Sequence, residues 1–155
     1  MQGINSITSN TKIKQAIGWR EWSSLPDLKI PCIKAKLDTG ARTSALHTYF
    51  IEPLGGSKQT RVRFGVHPLQ RTNKPEIICT AEIIDQRCIF DSGGHPEIRY
   101  VIRTSLVMGE NKWSIELSLT NREHMRFRLL LGRTAIRDIF AVDPALSFTL
   151  GKLSP

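Results

Sequence analysis

A two-residue hydrophobic repeat is the feature that most constrains how this chain can fold. Residues 112–119 read K-W-S-I-E-L-S-L, so every second side chain is apolar. Because successive side chains of a β-strand point to opposite faces, this pattern predicts a strand with one buried face. Similar short runs occur at 17–22, 33–37, 61–66, 77–84, 98–106 and 127–131. Many short strands separated by turns favour an all-β barrel or sandwich.

Helix and irregular structure occupy little of the chain. The one good helix candidate is short, 133–139, and it directly follows Gly132. Residues 48–76 contain three prolines and are predicted to form an irregular insertion between strands. A length of 155 residues suits a single domain. We expect that domain to cover 17–155, after a flexible polar arm at 1–16.

Composition argues against several classes of protein. Hydrophobic residues at 40% and charged residues at 23% are near globular averages, which argues against a disordered or fibrous chain. No apolar run approaches the ~20 residues of a membrane span. The cysteines, Cys32, Cys79 and Cys88, are odd in number and lack C-x-x-C spacing. We therefore expect reduced thiols in a cytoplasmic protein, although a chain trimmed of its signal peptide would look the same.

The net charge of +8 favours an acidic partner, which could be an acidic peptide, a carboxylate-rich substrate or a nucleic acid. The basic residues are spread along the chain, and only Phe64 and Phe127 lie within arginine-rich stretches. Base stacking therefore has little support, and nucleic-acid binding is the weakest interpretation. An ordinary solvated basic surface is the other interpretation of this charge.

Residues 36–41, K-L-D-T-G-A, place Asp38 at the end of an apolar strand, followed by Thr39 and Gly40. Gly40 allows a sharp turn, and the Thr39 hydroxyl can bond to a neighbouring segment and hold the carboxylate in place. Two such carboxylates facing each other at ~3 Å share one proton and can activate water. The same tripeptide also occurs as an ordinary D-x-G turn.

A second segment, R-L-L-L-G-R-T-A-I at 128–136, is an apolar strand that ends at Gly132 and leads through Arg133 into a short helix. Together with the Asp38 loop it resembles aspartic proteases of retroviral type. In those proteins a D-[ST]-G-A loop is crossed by an apolar strand that ends in glycine. The glycine-rich stretch D-S-G-G at 91–94 lies between two predicted strands, where a retropepsin has the tip of its flap.

The D-S-G at 91–93 could also be interpreted as a second catalytic loop. A two-lobed enzyme would need a second apolar strand ending in glycine, and the sequence has none, so the flap interpretation is favoured. The resemblance to retropepsins covers most of 33–140, with 48–76 as the insertion.

Longer motifs narrow the resemblance further. They are I-G-W-R-E-W at 17–22, K-L-D-T-G-A-R-T-S-A-L-H at 36–47, L-T-N-R at 119–122 and L-G-R-T at 131–134. These resemble the bacterial retropepsin-like family labelled "ATP-dependent zinc protease", whose members are associated with RimK-type ATP-grasp ligases that add glutamates to protein tails. The chain has neither H-E-x-x-H nor a P-loop, so we expect no zinc, no ATP and no other cofactor.

The resemblance implies an all-β fold, a closed retropepsin-like (acid protease) barrel with one short C-terminal helix, and a homodimer. It implies an aspartic endopeptidase whose dyad takes Asp38 from each of two chains, possible substrates being acidic or glutamate-rich peptides. The residues implied in catalysis are Asp38, Thr39 and Gly40. Those implied in substrate binding are Ala41, Arg42, Ser92, Gly93 and Gly94. Gly132 and Arg133 would give structural support.

Arg42 departs from the viral pattern, which has an acidic residue there that pairs with the arginine after the later glycine. Arg133 must therefore find another partner. Arg42 itself would either bind a substrate carboxylate or make an ordinary ion pair. The histidines, His47, His67, His95 and His124, favour structural or exposed roles over a zinc site.

Two alternatives to the peptidase stay open. One is an inactive module of the same fold that binds acidic peptides or a RimK-type ligase. The weaker one is a basic nucleic-acid binder. Membrane association is not expected.

Overall fold

The computed structural model describes residues 13–91, 93–121 and 126–152. Its strands, in chain order, are β1 Gln15–Ile17, β2 Arg20–Leu25, β3 Ile30–Asp38, β4 Ser44–His47, β5 Phe50–Leu54, β6 Arg61–Val66, β7 Ile77–Glu82, β8 Asp85–Phe90, β9 Pro96–Met108, β10 Asn111–Thr120, β11 Leu129–Gly132 and β12 Phe140–Val142. One short α-helix, α1, spans Arg133–Ile136, and 3-10 turns span Pro26–Leu28 and Gly56–Lys58.

Six strands close into a barrel in the order β10-β4-β11-β3-β2-β9, and β9 pairs back with β10. Strand β8 pairs with the first part of β9 and extends the sheet beyond the barrel. The predicted all-β barrel with one short helix is confirmed. The alternation in β10 produces it directly, because Ile115, Leu117 and Leu119 point inward and are buried.

Strand β11, from the C-terminal part of the chain, lies in the sheet between strands β3 and β4 from the N-terminal part. It runs parallel to β3, with Gly132 opposite Asp38, and antiparallel to β4, with Leu130 opposite Ala45. Because Leu129 and Leu131 are fully buried, β11 is held in the middle of the sheet by its apolar side chains. This placement brings the two segments singled out in the sequence, 36–41 and 128–136, side by side.

The prediction of an irregular insertion at 48–76 is wrong in part. Strand β6 coincides with the strand-like run predicted at 61–66, but β5 also lies inside the segment, and both form a three-stranded antiparallel sheet with β7. Val62, Phe64 and Val66 are fully buried and join the core. The prolines misled the prediction, because Pro53 lies in β5, an edge strand that tolerates a missing N–H.

Ordered structure also begins inside the predicted arm. Gln15 and Ala16 belong to β1, which pairs in parallel with β12. Residues 1–12 of that arm lie outside the described residues. The predicted helix at 133–139 is shorter in the structure, where α1 ends at Ile136.

The cysteines are free thiols, and burial raises the pKa of Cys79 to about 11. Within the described ranges, the helices are too short to reach across a bilayer.

Glu21 attaches the end of the chain to β2. Its carboxylate is fully buried and accepts hydrogen bonds from the backbone N–H groups of Gly18 (2.7 Å), Thr149 (3.1 Å) and Leu150 (3.1 Å). The Thr149 hydroxyl donates a further bond at 2.7 Å. A Cβ at Gly18 would lie 2.4 Å from the carbonyl oxygen of Leu146, so the two segments approach at backbone distance. The carboxylate is therefore satisfied only when the C-terminal segment is in place.

We expect Glu21→Gln to lower the free energy of unfolding by about 2–3 kcal/mol, because an amide cannot accept all of these donors and leaves some of them buried without a partner. Urea unfolding at pH 7 measures the change. The matched control is Glu52→Gln, which removes an exposed ion pair to Arg63 (3.3 Å) and should cost no more than about 0.5 kcal/mol. If Glu21→Gln and Glu52→Gln lost the same free energy of unfolding, Glu21 would not be the residue that attaches the C-terminal segment.

Candidate active site

Asp38 is the last residue of β3, and a tight turn holds its carboxylate. The backbone N–H of Gly40 donates to Asp38 Oδ1 at 3.1 Å, and the N–H of Ala41 donates to the Asp38 carbonyl at 3.2 Å. Asp38 is half-buried, whereas Thr39 and Gly40 are exposed. The turn therefore presents one carboxylate at the surface. The bond that holds it comes from Gly40, whereas the Thr39 hydroxyl, expected to bond to a neighbouring segment, has no hydrogen bond among the described residues.

Gly132 lets β11 cross directly behind this turn. A Cβ at this position would lie 2.8 Å from the carbonyl carbon and oxygen of Arg42 and 2.9 Å from the carbonyl oxygen of Ala41. Only glycine permits such an approach. The crossing is then fixed by the Arg133 N–H, which donates to the Ala41 carbonyl at 2.8 Å, and by the Thr134 hydroxyl, which donates to the Arg42 carbonyl at 2.7 Å.

Arg133 finds its partner within the same turn. Its Nη1 donates to the carbonyl oxygen of Gly40 at 3.2 Å. A guanidinium bound to a backbone carbonyl replaces the side-chain ion pair of the viral pattern. Gly132 and Arg133 thus both support the Asp38 loop from the strand behind it.

Two buried serines complete this support and were not anticipated from the sequence. Ser44 Oγ accepts a hydrogen bond from the Gly132 N–H at 3.1 Å, and Ser118 Oγ donates to the Ser44 carbonyl at 2.7 Å. The only sequence signal was a hydroxyl residue in each of two apolar strands, and that signal is common. The contacts exist only because β4 lies between β10 and β11.

Asp91, Gly93 and Gly94 lie at the tip of the β8–β9 hairpin, which we call the flap. Phe90 pairs with Pro96 across it, and the N–H of His95 donates to Asp91 Oδ1 at 2.8 Å. That bond is the main reason why the pKa of Asp91 lies below its usual value. Gly94 has a φ of +81°, which glycine adopts at little cost. Asp91 therefore stabilises the hairpin turn by accepting this hydrogen bond. Ser92 lies outside the described residues.

A cavity of about 670 Å³ lies between strand β8 of the flap and residues 42–43, which follow the Asp38 loop. It is lined by Arg42, Thr43, Arg87, Cys88, Ile89, Glu116 and Thr134. Of the residues predicted to bind substrate, Arg42 is the one in this lining. The sequence did not point to Arg87, since nothing local marks it out among thirteen arginines.

The two arginines of the cavity differ in their partners. Arg87 is bound to Asp85 at 2.7 Å and to Glu116 at 2.8 Å, and these hydrogen bonds raise the pKa of its guanidinium. Arg42 is exposed, and none of the ion pairs among the described residues includes it. The ion-pair interpretation of Arg42 therefore gains no support, and Arg42 lines the cavity.

Three of the four histidines lie within the described residues, and none of these three makes a hydrogen bond or ion pair with Asp38. His47 is buried at the end of β4, and desolvation lowers its pKa. His67 stacks on Tyr49 with ring centroids 4.0 Å apart, and His95 is exposed at the flap tip. His124 lies outside the described residues. In the described part of the chain, no three residues of the types His, Cys, Asp and Glu come together as a metal site.

Comparisons with known proteins agree with this geometry. The sequence model of the RimB-like family, described as retropepsin-like aspartic endopeptidase RimB, matches residues 16–152. The crystal structure of a Legionella pneumophila protein of unknown function has a TM-score of 0.71 and 31% identity, and the match covers 89% of this chain and 99% of that one.

The curated relatives are named differently. A probable alpha-L-glutamate ligase of Desulfotalea psychrophila is 45% identical over 141 residues, which is 91% of this chain. A protein of the same name in Shewanella pealeana is 43% identical over 139 residues, which is 90% of this chain. The chain spans only 30% of the length of each of these relatives.

We expect Gly132→Ala to lower the free energy of unfolding by about 3 kcal/mol, because the new Cβ must displace the backbone of the Asp38 loop. Urea unfolding followed by tryptophan fluorescence measures this loss. Gly40→Ala is the control, since its Cβ would meet only Asp38 Oδ1, at 3.3 Å. If Gly40→Ala were destabilised as much as Gly132→Ala, the close approach of β11 to the Asp38 loop would not explain the loss of stability.

Proposed function

Because this chain belongs to the RimB-like family of retropepsin-like aspartic endopeptidases, we propose that it hydrolyses peptide bonds and that Asp38 is its catalytic residue. The observation that carries the proposal is the rigid Asp38 turn. It is fixed by Gly40 from within and by Gly132 and Arg133 from behind. Pre-organisation of this kind is what positions a catalytic carboxylate.

One carboxylate per chain requires a second copy. In the proposed homodimer a two-fold axis passes between the Asp38 turns, so each chain contributes the same residue. The exposure of Thr39 and Gly40 supports this arrangement, because both are accessible to a second chain. Two carboxylates brought together at ~3 Å hold one proton between them at neutral pH.

The proposed chemistry follows from that shared proton. The ionised Asp38 removes a proton from water while the water oxygen bonds to the peptide carbonyl carbon. The protonated Asp38 of the other copy donates its proton to the carbonyl oxygen. The Asp38 that took the proton from water then gives it to the nitrogen as the C–N bond breaks, and the other Asp38 takes a proton back from a hydroxyl of the tetrahedral intermediate. The products are a carboxylic acid and an amine, and the pair again holds one proton. The flap, with Gly93 and Gly94 at its tip, would cover the substrate.

The cavity suggests the substrate class. Arg42 presents a cation that the described ion pairs leave free, whereas Arg87 in the same lining is already paired with Asp85 and Glu116. A guanidinium binds a carboxylate through two parallel hydrogen bonds, so acidic side chains suit this cavity. The names of the curated relatives agree with this, since a probable alpha-L-glutamate ligase is named for glutamate, whose side chain is a carboxylate. We therefore propose glutamate-rich peptides as substrates and a RimK-type ligase as a partner.

A second candidate is a binding module without catalysis. It is favoured by the curated relatives, which are named as ligases and of which the matching region is only 30%. Such a module would keep Arg42 and its cavity for holding acidic chains. Such a module would differ from a peptidase because replacing Asp38 would leave its binding of acidic chains unchanged.

We expect Asp38→Asn to reduce hydrolysis of a glutamate-rich peptide by several orders of magnitude, about 10⁴-fold or more, while the fold and peptide affinity survive. The sharper measurement mixes wild-type and Asp38→Asn chains. If a dyad needs both carboxylates, an equal mixture after subunit exchange keeps about a quarter of the wild-type activity, whereas independent sites would keep about half. Wild-type turnover by the variant alone would exclude the aspartic mechanism and leave the binding module.

We expect Arg42→Ala to remove most of the preference for a glutamate peptide over its glutamine counterpart, a loss of about 1–3 kcal/mol. Isothermal titration with the Asp38→Asn chain measures both affinities without hydrolysis. Arg61→Ala is the control, because Arg61 is exposed on β6 and carries the same charge. Equal affinity of the wild-type chain for the two peptides would exclude an acidic-substrate site.

A further inference from the structure

The outer face of β2 and β3 combines cations and aromatic rings in a way that the peptidase chemistry does not require. Arg20 lies directly opposite Lys36 in the ladder, and Trp22 lies opposite Lys34. Residues opposite each other in a ladder share one face of the sheet. We call Trp19, Arg20, Trp22, Lys34, Lys36 and Phe148 the cation–aromatic face.

The rings and cations of this face alternate. The Arg20 guanidinium lies 4.7 Å from the Trp19 ring centroid and 4.8 Å from that of Phe148. Lys34 Nζ lies 5.1 Å from the Trp22 ring and 5.6 Å from the Phe148 ring. Cation–π contacts of this kind orient the guanidinium and the ammonium. A guanidinium held between two rings keeps its in-plane N–H donors for a ligand.

The charges of this face have no acidic partner among the residues that the structure describes. None of the ion pairs found there includes Arg20, Lys34 or Lys36, and Lys34 reaches only the neutral amide oxygen of Gln70, at 3.5 Å. Arg20 Nε is buried without a hydrogen-bond partner, so a ligand would be bound through the Nη atoms of the guanidinium. Like charges directly opposite each other are unfavourable in a sheet, and a bound anion would relieve the repulsion between Arg20 and Lys36.

Phe148 is held in this face against the preference of its backbone. Its φ is +54°, a left-handed conformation that an aromatic residue rarely adopts. The conformation is maintained because the Phe148 N–H donates to the Arg20 carbonyl at 3.0 Å and the next two residues bind Glu21. Strain that the surrounding structure maintains is typical of functional positions.

We propose that the cation–aromatic face is a second binding site, for an acidic polypeptide, outside the cavity at Arg42. Lys36 precedes Asp38 by two residues on β3, so the face ends roughly 7 Å along the strand from the catalytic loop. A glutamate-rich chain bound there would be anchored beside Asp38 by Arg20, Lys34 and Lys36. The choice of an acidic polypeptide over other polyanions rests on the proposed substrate class, but the binding itself does not depend on catalysis.

The test uses the full chain with Asp38→Asn and an all-glutamate peptide of about twelve residues, which spans roughly 40 Å when extended. Indole N–H signals in ¹⁵N NMR report the position of binding. Trp19 and Trp22 lie in the face, whereas Trp113 borders α1, where its indole N–H donates to the Ala135 carbonyl at 2.9 Å. We expect the Trp19 and Trp22 signals to shift on titration. Shifts confined to Trp113 would overturn the proposal while leaving the Arg42 cavity as the binding site.

Two variants measure how much the face contributes. We expect Lys34→Gln to weaken peptide binding about tenfold, and Arg20→Lys to weaken it by a similar factor because lysine lacks the planar donor set. Lys58→Gln, an exposed position outside the face, is the charge-matched control and should bind like the parent chain. Unchanged affinity in a folded Lys34→Gln chain would overturn the proposal.

A single-stranded oligothymidylate is the competing probe, because aromatic rings beside cations also suit nucleic acids. We expect it to bind more weakly than the peptide and to compete poorly. Tighter binding of the oligonucleotide, with the same shifts at Trp19 and Trp22, would reassign the face to nucleic acid. The hydrolysis assay on wild-type chain is independent of all these measurements, so failure of this proposal and failure of the peptidase proposal are distinguishable.

Discussion

The structure depends on one close approach between backbones, where Gly132 passes behind the Asp38 loop. The absence of a Cβ at Gly132 lets β11 lie against the carbonyl groups of Ala41 and Arg42. Once the strands are this close, Arg133 and Thr134 can donate to that loop. The position of the carboxylate therefore follows from the packing of two segments far apart in the sequence, and a larger residue at the crossing would move both.

In this molecule the burial of apolar side chains closes the barrel, whereas buried hydrogen bonds fix the positions of particular groups. The alternating strands close the barrel, because each has one apolar face to bury. Burial is not directional, however, and it cannot fix a side chain to within a few tenths of an ångström. That precision comes from buried polar groups with complete sets of partners, Glu21 at the C-terminal segment and Ser44 at the crossing.

Two surfaces of the chain place cations where an acidic ligand could bind. One is the cavity of Arg42 and Arg87 beside the flap, and the other is the cation–aromatic face along β2 and β3. The two differ in chemistry. Arg87 in the cavity is already neutralised by Asp85 and Glu116, whereas none of the described ion pairs includes a cation of the outer face. An extended acidic ligand would gain from both, which is consistent with a chain whose net charge is +8.

The sequence by itself determined the strands, the Asp38 turn and the strand that crosses it. These depend on local patterns, namely the two-residue repeat, D-T-G-A and L-L-L-G-R, and such patterns can be recognised without a fold. Only the tertiary structure showed strand β5 and the sheet that it forms with β6 and β7, the bond from Arg133 to Gly40, the position of Arg87 and the cation–aromatic face. Each of these joins segments that are distant in the chain, as Phe148 does with Arg20. Local pattern carries no information on such contacts, because they form only when the barrel closes.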